Sequence, residues 1–255
     1  MAYVIAFAGK GGVGKTSLAS LTVQYLVGRQ TGPVLAVDAD PNSCLNEALG
    51  VPVCETVGGI REESLEKVRS GGERPGGMST EEMLDYRIQQ CVSEEKGFDL
   101  LVMGRPEGPG CYCAANNIIR KYTDRLTDAY RYLVLDNEAG LEHLSRHTSR
   151  AINLLLIVSD PTTKGIRTAR RIYDLIAELN IKVDRTGLII NRTAPGDEES
   201  LLPFAVSLGL EVAGCVPDDR AVATADLNGE PVVRIGDDSP ARTAFAAILR
   251  KLSIP

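Results

Sequence analysis

Short runs of almost wholly apolar residues recur along this chain, separated by helical patterns, and that alternation is what most narrows the fold. The runs are Val4–Ala8, Pro33–Val37, Leu100–Met103, Tyr132–Leu135, Leu154–Val158, Gly187–Ile190, Val212–Val216 and Val232–Ile235. A strand with one solvated face alternates polar and apolar residues, whereas a run that is apolar throughout is covered on both faces. Helices are predicted at Lys15–Arg29, Thr80–Glu95, Ala114–Ala129, Leu141–Ala151, Lys164–Glu178, Glu198–Leu208, Asp219–Leu227 and Pro240–Leu252. The expected fold is α/β, a mostly parallel sheet of about eight strands with helices on both faces. The 255 residues, 44% of them hydrophobic, suffice for one large core, and nothing marks a domain boundary, so residues 1–255 read as a single domain. The stretch from Gly58 to Gly77, rich in Gly, Arg and Glu, reads as a mobile insertion between the second and third strands.

Ligands in such sheets bind beyond the carboxyl ends of the strands. The first strand runs into Gly9-Lys10-Gly11-Gly12-Val13-Gly14-Lys15-Thr16-Ser17 and then into a helix. A G-x-x-x-x-G-K-[ST] loop in that setting is a phosphate cradle, because its glycines let successive backbone N–H groups turn toward one anion. Lys15 is placed to reach the β- and γ-phosphates and the Thr16 hydroxyl to hold Mg²⁺. Lys10, directly after the first glycine, is a second cation that such a loop does not need, and it can reach a phosphate bound by another subunit.

The second strand ends in Asp38-Ala39-Asp40-Pro41. With a period of two, Asp38 and Asp40 point the same way, so both can face one metal–phosphate site. We assign Asp38 a water-mediated Mg²⁺ contact and Asp40 the orientation of the attacking water, against the alternative of a surface Asx-Pro turn. The fourth strand ends in Asp136, the usual further Mg²⁺ anchor of phosphate-loop nucleotidases, and Gly140 shortly after could sense a γ-phosphate through its backbone N–H. Asn191, at the end of its strand, offers a donor and an acceptor to a purine edge, or is an ordinary turn residue. Pro217 follows the next strand and could present backbone contacts to the same base.

Charge and composition exclude other classes. Lys+Arg 28 against Asp+Glu 34 gives a net charge of −6, so a nucleic-acid partner has no electrostatic support. No apolar stretch reaches transmembrane length and no cleavable signal opens the chain, so the expected location is the cytosol, with no membrane partner. The C-terminal stretch Phe245–Leu252 carries only Arg250 and Lys251 as basic residues, and is expected to dock on the sheet rather than to lie on a membrane.

Six cysteines in a reducing compartment read as thiols. Cys111 and Cys113 sit in Gly108-Pro109-Gly110-Cys111-Tyr112-Cys113-Ala114, after the third strand, on the expected ligand side of the sheet. In an extended segment both sulfurs project to one side, and a disulfide between them would be strained. One chain then supplies two sulfur ligands, and two copies would complete a tetrahedral S₄ site for zinc, copper(I), nickel or an iron–sulfur cluster. A buried pair of small side chains is the alternative. Cys44, Cys54, Cys91 and Cys215 are scattered singly and read as core or helix residues. His143 and His147 lie four apart on a predicted helix, but no third ligand is in view, and they read as packed or solvated.

Together the K-G-G-V-G-K-T loop at Lys10–Thr16, the D-x-D-P at Asp38–Pro41, the strand-end Asp136 and Asn191 resemble the nucleotidases with a deviant phosphate loop. That group contains nitrogenase iron protein, the arsenical pump ATPase and the division-site and partition ATPases. The resemblance implies that Gly11, Gly12, Val13, Gly14, Lys15, Thr16, Ser17, Asn191 and Pro217 bind ATP or ADP with Mg²⁺. It also implies that Lys10 crosses to the partner's nucleotide, and that ATP closes a homodimer face to face. The segments Met103–Ala114 and Asn137–Arg146 further resemble the CooC-type accessory ATPases, which serve maturation of the nickel–iron–sulfur cluster of carbon monoxide dehydrogenase. What that implies is ATP-dependent nickel insertion, with Cys111 and Cys113 bridging the dimer around Ni²⁺ or Zn²⁺ and carbon monoxide dehydrogenase as client. Two rival readings stand beside it: an iron–sulfur carrier or electron donor resembling nitrogenase iron protein, and a positioning ATPase of the MinD and ParA kind.

Overall fold

The computed structural model describes residues 2–40, 44–60, 62–63, 86–104, 127–138 and 151–255. Eight strands form one sheet: β1 (Tyr3–Gly9), β2 (Val34–Ala39), β3 (Ser93–Glu95), β4 (Phe98–Val102), β5 (Tyr132–Asn137), β6 (Leu154–Ser159), β7 (Thr186–Thr193) and β8 (Val212–Pro217). Their order across the sheet is β3-β4-β2-β5-β1-β6-β7-β8. Every neighbouring pair is parallel except β3 with β4. The described helices are α1 (Lys15–Arg29), α2 (Leu45–Leu49), α3 (Thr163–Glu178), α4 (Asp197–Ser207), α5 (Arg220–Asn228) and α6 (Pro240–Lys251).

The apolar runs of β1, β2, β5 and β6 are buried on both faces as their composition requires, whereas the edge strand β8 is only partly covered. Along β1, Ile5 and Phe7 pack into one core with Leu18, Leu26 and Val23 of α1 and Phe245 and Leu249 of α6. Val4, Ala6 and Ala8 belong to a second core with Ile166, Ala169 and Ile172 of α3 and Leu201 and Ala205 of α4. The period of two therefore separates two hydrophobic layers, and a one-residue slip of β1 would exchange them. The C-terminal helix docks as expected, with α6 burying Ala241, Phe245, Ile248 and Leu249. Among the described residues, no helix is long and apolar enough to cross a membrane.

Three expectations are corrected. The run Val232–Ile235 is not a strand: Val232–Arg234 forms a 3₁₀ turn whose Val232 is buried in the core beside α1. Starting at Pro231, a residue that cannot donate to a ladder, this segment packs under α1 and α2 instead of joining the sheet. Second, the helix expected over Thr80–Glu95 stops short of Ser93–Glu95, which is the antiparallel edge strand β3; Lys96-Gly97 closes a two-residue hairpin to β4, with Gly97 at φ +93°. Third, the stretch expected to be mobile from Gly58 begins as a helical turn over residues 57–60, with Ile60 buried. The remainder of that stretch apart from residues 62–63, the helix expected over Leu141–Ala151 except its last residue, and Ala114–Ala129 except the 3₁₀ turn Thr127–Ala129 lie outside the described residues.

Candidate functional site

The loop between β1 and α1 is held in a shape that only glycine permits at two points. Gly9 has φ +154°, and a Cβ there would stand 2.4 Å from the Val158 carbonyl oxygen of β6. Gly14 has φ +93°, and a Cβ there would meet the Asn191 amide nitrogen at 2.4 Å. Gly14 is also the residue before α1, a helix start with no side-chain cap and no acid in its first turn. The first N–H groups of α1 are therefore left to an anion, with the positive end of the helix dipole behind them.

Lys15 is only 7% exposed, and its Nζ donates to the Lys10 carbonyl oxygen at 3.2 Å. Burial pushes its pKa down, opposed by the charges of Asp136, Asp40 and Glu138. Lys10 itself is exposed. A cation held at the loop with its charge poorly hydrated is a strong partner for phosphate oxygens.

Two acids stand beside it in register. Asp38 of β2 and Asp136 of β5 are paired positions on adjacent parallel strands. Asp38 is fully buried; its Oδ1 accepts from the Asp40 amide at 3.1 Å and its Oδ2 from the Leu45 amide at 2.8 Å. Burial lifts its pKa to about 6 against those two hydrogen bonds, and the Asp40 charge adds to the rise. Asp38 thus holds both Asp40 and the first residue of α2. Asp136 is 1% exposed, and neither of its carboxylate oxygens accepts a hydrogen bond of ordinary geometry among the described residues. Its pKa rises to about 7, first through burial and then through Asp38 and Asp40, with the nearby Thr16 hydroxyl and Lys15 pulling the other way. A buried carboxylate without a partner, beside a hydroxyl and a second carboxylate, is a donor set of hard oxygens that suits Mg²⁺.

These residues border a cavity of about 490 Å³ lined by Gly11, Lys15, Thr16, Asp40, Cys44 and Glu138 among others. A neighbouring cavity of about 310 Å³ is lined by Leu18, Asn191, Val216, Pro217, Val222 and others. Ser17, Arg192 and Asp226 border both. The loop residues Gly11, Gly12, Gly14, Lys15 and Thr16 thus fall with Asp40 in one cavity, and Asn191 and Pro217 in the next, whose lining mixes the apolar Leu18, Val216 and Val222 with the acids Asp218, Asp219 and Asp226. Asn191 does not end its strand; it lies inside β7, 7% exposed, and its Nδ2 donates to the Val13 carbonyl oxygen at 2.8 Å. Asp136 is likewise followed within its strand by Asn137, buried, whose Nδ2 donates to the Phe7 carbonyl oxygen at 2.9 Å.

Cys44 and Cys54 are exposed, not core residues as their isolation suggested, while Cys91 is buried and Cys215 intermediate. Cys44 precedes α2 at the edge of the larger cavity, where partial burial and the charges of Asp38 and Asp40 push its thiol pKa up and keep it protonated. Cys111, Cys113, Gly140, His143, His147 and Pro41 lie outside the described residues. Among the described residues, no group of three or more His, Cys, Asp or Glu side chains is placed to hold a metal ion. Arg192, which lines both cavities, is not legible in the sequence, because its position depends on an irregularity of β7 that no residue pattern announces.

The profile of the CobQ/CobB/MinD/ParA nucleotide-binding domain matches residues 4–232. The chain belongs to this family. The family is one of ATP-binding phosphate-loop ATPases, and the doubly covered, mostly parallel sheet is the fold that it shares. An uncharacterized ATP-binding protein of Methanocaldococcus jannaschii is 41% identical over 249 residues, spanning 98% of both chains. The carbon monoxide dehydrogenase accessory protein CooC of Rhodospirillum rubrum is 34% identical over 238 residues, 88% of this chain and 87% of that one. Among solved structures, the septum site-determining protein MinD of Pyrococcus horikoshii, complexed with Mg-ADP, superposes with a TM-score of 0.67 at 17% identity, over 99% of this chain and 96% of that one. At that identity the likeness speaks for the fold alone.

Proposed function

We propose that this chain, a single ATPase domain over residues 1–255, hydrolyses ATP as a nucleotide-switched homodimer, binds a metal ion between its subunits through Cys111 and Cys113, and assists nickel insertion into carbon monoxide dehydrogenase. The observation that carries the nucleotide chemistry is the buried Asp136 carboxylate, without a hydrogen bond of ordinary geometry among the described residues, beside Lys15 and Thr16 at the foot of an uncapped helix. The choice of client is supported by the 34% identity to the accessory protein CooC together with the C-x-C sequence.

Mg²⁺ would be held by the Thr16 hydroxyl and Asp136, with Asp38 acting through water, and when bound would neutralise phosphate charge. The loop N–H groups and Lys15 cradle the β- and γ-phosphates, and the base occupies the cavity of Asn191 and Pro217. Asp40 orients the attacking water, and phosphoryl transfer then depends on positioning and charge stabilisation. Exposed Lys10 of one subunit extends to the phosphates bound by the other, so that ATP draws the subunits together and brings two pairs of thiols around one ion. Loss of the γ-phosphate removes contacts made only in the closed dimer, and a complete swing between the two states takes about 5.5 kcal/mol of differential binding.

The double substitution Cys111→Ser with Cys113→Ser tests the metal site. It abolishes metal binding by the dimer and leaves nucleotide binding intact; equal metal content in mutant and wild type refutes the ligands. Visible absorption of anaerobically purified protein separates nickel–thiolate from an iron–sulfur cluster, which is the electron-carrier alternative. Lys10→Ala keeps ATP binding and slows hydrolysis, and undiminished turnover rules out a crossing lysine.

A further inference from the structure

In the loop that cradles the phosphates, three carbonyl groups are already held by side chains. The Lys10 carbonyl accepts from Lys15 Nζ at 3.2 Å, the Gly12 carbonyl from Arg192 Nη1 at 3.2 Å, and the Val13 carbonyl from Asn191 Nδ2 at 2.8 Å. The described chain has no cis peptide bond, and in a planar trans peptide the C=O and the following N–H point in opposite directions. Fixing those carbonyls therefore fixes the N–H groups of Gly11, Val13 and Gly14 on the other side of the loop, where an anion is to be bound.

Two of the three clamps are consecutive residues of β7, and they reach the loop because the strand is irregular there. Arg192 has φ +60°, a left-handed conformation that an L side chain adopts only at a cost, and the pairing of β7 with β8 shifts register between Asn191 and Thr193. In a regular strand Asn191 and Arg192 would face opposite sides of the sheet. The bulge instead lets neighbouring side chains hold neighbouring carbonyls of one loop, and Arg192 lies where the two cavities meet.

We propose that Arg192 is a positioning residue which, together with Asn191, preorganises the phosphate loop, so that it governs affinity for the nucleotide's phosphates without touching them. This rests on the reading of the cleft as a nucleotide site. Its test is the substitution Arg192→Gly, which suits a positive φ and so spares the fold, alongside Arg192→Gln, which keeps a donor amide without the charge. Binding of ATP, ADP and adenosine to the full chain is measured by competition calorimetry, with thermal unfolding as a check on stability.

The expected result is a loss of about tenfold in affinity for both ADP and ATP in Arg192→Gly. Adenosine affinity stays unchanged, the unfolding midpoint does not fall, and Arg192→Gln recovers most of the phosphate affinity. Undiminished ADP affinity in Arg192→Gly overturns the inference. So does an equal loss for adenosine and ADP, which would make Arg192 a base contact, or a loss for ATP well beyond that for ADP with no rescue by glutamine, which would make it a phosphate ligand. A wild-type chain that binds no ADP overturns the nucleotide reading itself and this inference with it.

Discussion

Two buried aspartates, Asp136 in the central strand β5 and Asp219 just after the edge strand β8, behave in opposite ways. Asp219, 9% exposed, accepts from the Ala221 amide at 2.8 Å, the Ser239 hydroxyl at 2.5 Å and the Ala241 amide at 3.1 Å. Burial alone would raise its pKa, but the Ser239 hydroxyl and the two amides together bring it below the ordinary value. It caps α5 and ties that helix to the first turn of α6. Asp136, withdrawn further from water at 1% exposed, has no such partners among the described residues, and its pKa is pushed up to about 7. The first carboxylate is satisfied by the fold and serves stability, whereas the second, without such hydrogen bonds among the described residues, costs stability until a cation arrives. A buried carboxyl group left short of hydrogen bonds is thus a better pointer to a ligand site than burial alone.

The sharpest way to break this contrast is to remove each carboxylate. Asp136→Ala should lower the ATP hydrolysis rate at least about a hundredfold while leaving the ligand-free protein as stable as wild type or more so; a marked fall in its urea midpoint would make Asp136 structural. Asp219→Ala should cost about 2 kcal/mol in urea unfolding, because it uncaps α5 and strands the Ser239 hydroxyl and two amides. A neutral result there would show that the three hydrogen bonds carry no net stability.

A smaller effect separates the two by pH in the absence of nucleotide and Mg²⁺. The raised pKa values of Asp136 and Asp38, about 7 and about 6, mean that native protein binds protons more tightly than the unfolded chain. Their stabilising contribution is complete below the unfolded carboxylate range and is lost as pH rises through 6 to 7. Wild type should therefore lose stability relative to Asp136→Asn as pH rises across that window. The lowered pKa of Asp219 acts with the opposite sign: its contribution is present above the unfolded value and vanishes as pH falls through the folded one. Urea midpoints of wild type, Asp136→Asn and Asp219→Asn across the acid to neutral range read both signs, and parallel curves would remove the distinction.

The parts of the fold legible in the sequence were those with a strong period. β1, α1, β6 and α3 follow from apolar runs and helical spacing, and the glycine loop follows from its punctuation. β3 was invisible because Ser93, Glu94 and Glu95 carry no apolar signal; an exposed edge strand is specified by its hairpin turn and by a partner's free edge rather than by burial. Val232–Arg234 was misread for the reverse reason, since a short apolar run shows that a segment is covered without saying by what. At the candidate site, Lys15, Thr16, Asp38 and Asp136 are legible as motif and strand-end positions. Arg192 is not, because its placement arises from a register shift between two strands far apart in sequence, and the orphaned state of Asp136 is a property of packing that no residue type announces.

Nucleotide-dependent pairing of two chains around one metal ion is the step on which the proposed function depends. Sedimentation of the full chain with non-hydrolysable ATP analogue, Mg²⁺ and Ni²⁺, followed by metal analysis of the sedimenting species, is its most direct test. The prediction is a dimer that carries one nickel ion per two chains, forms only with both ligands present and is lost in the double cysteine mutant. Single chains without bound nickel under the same conditions would contradict it.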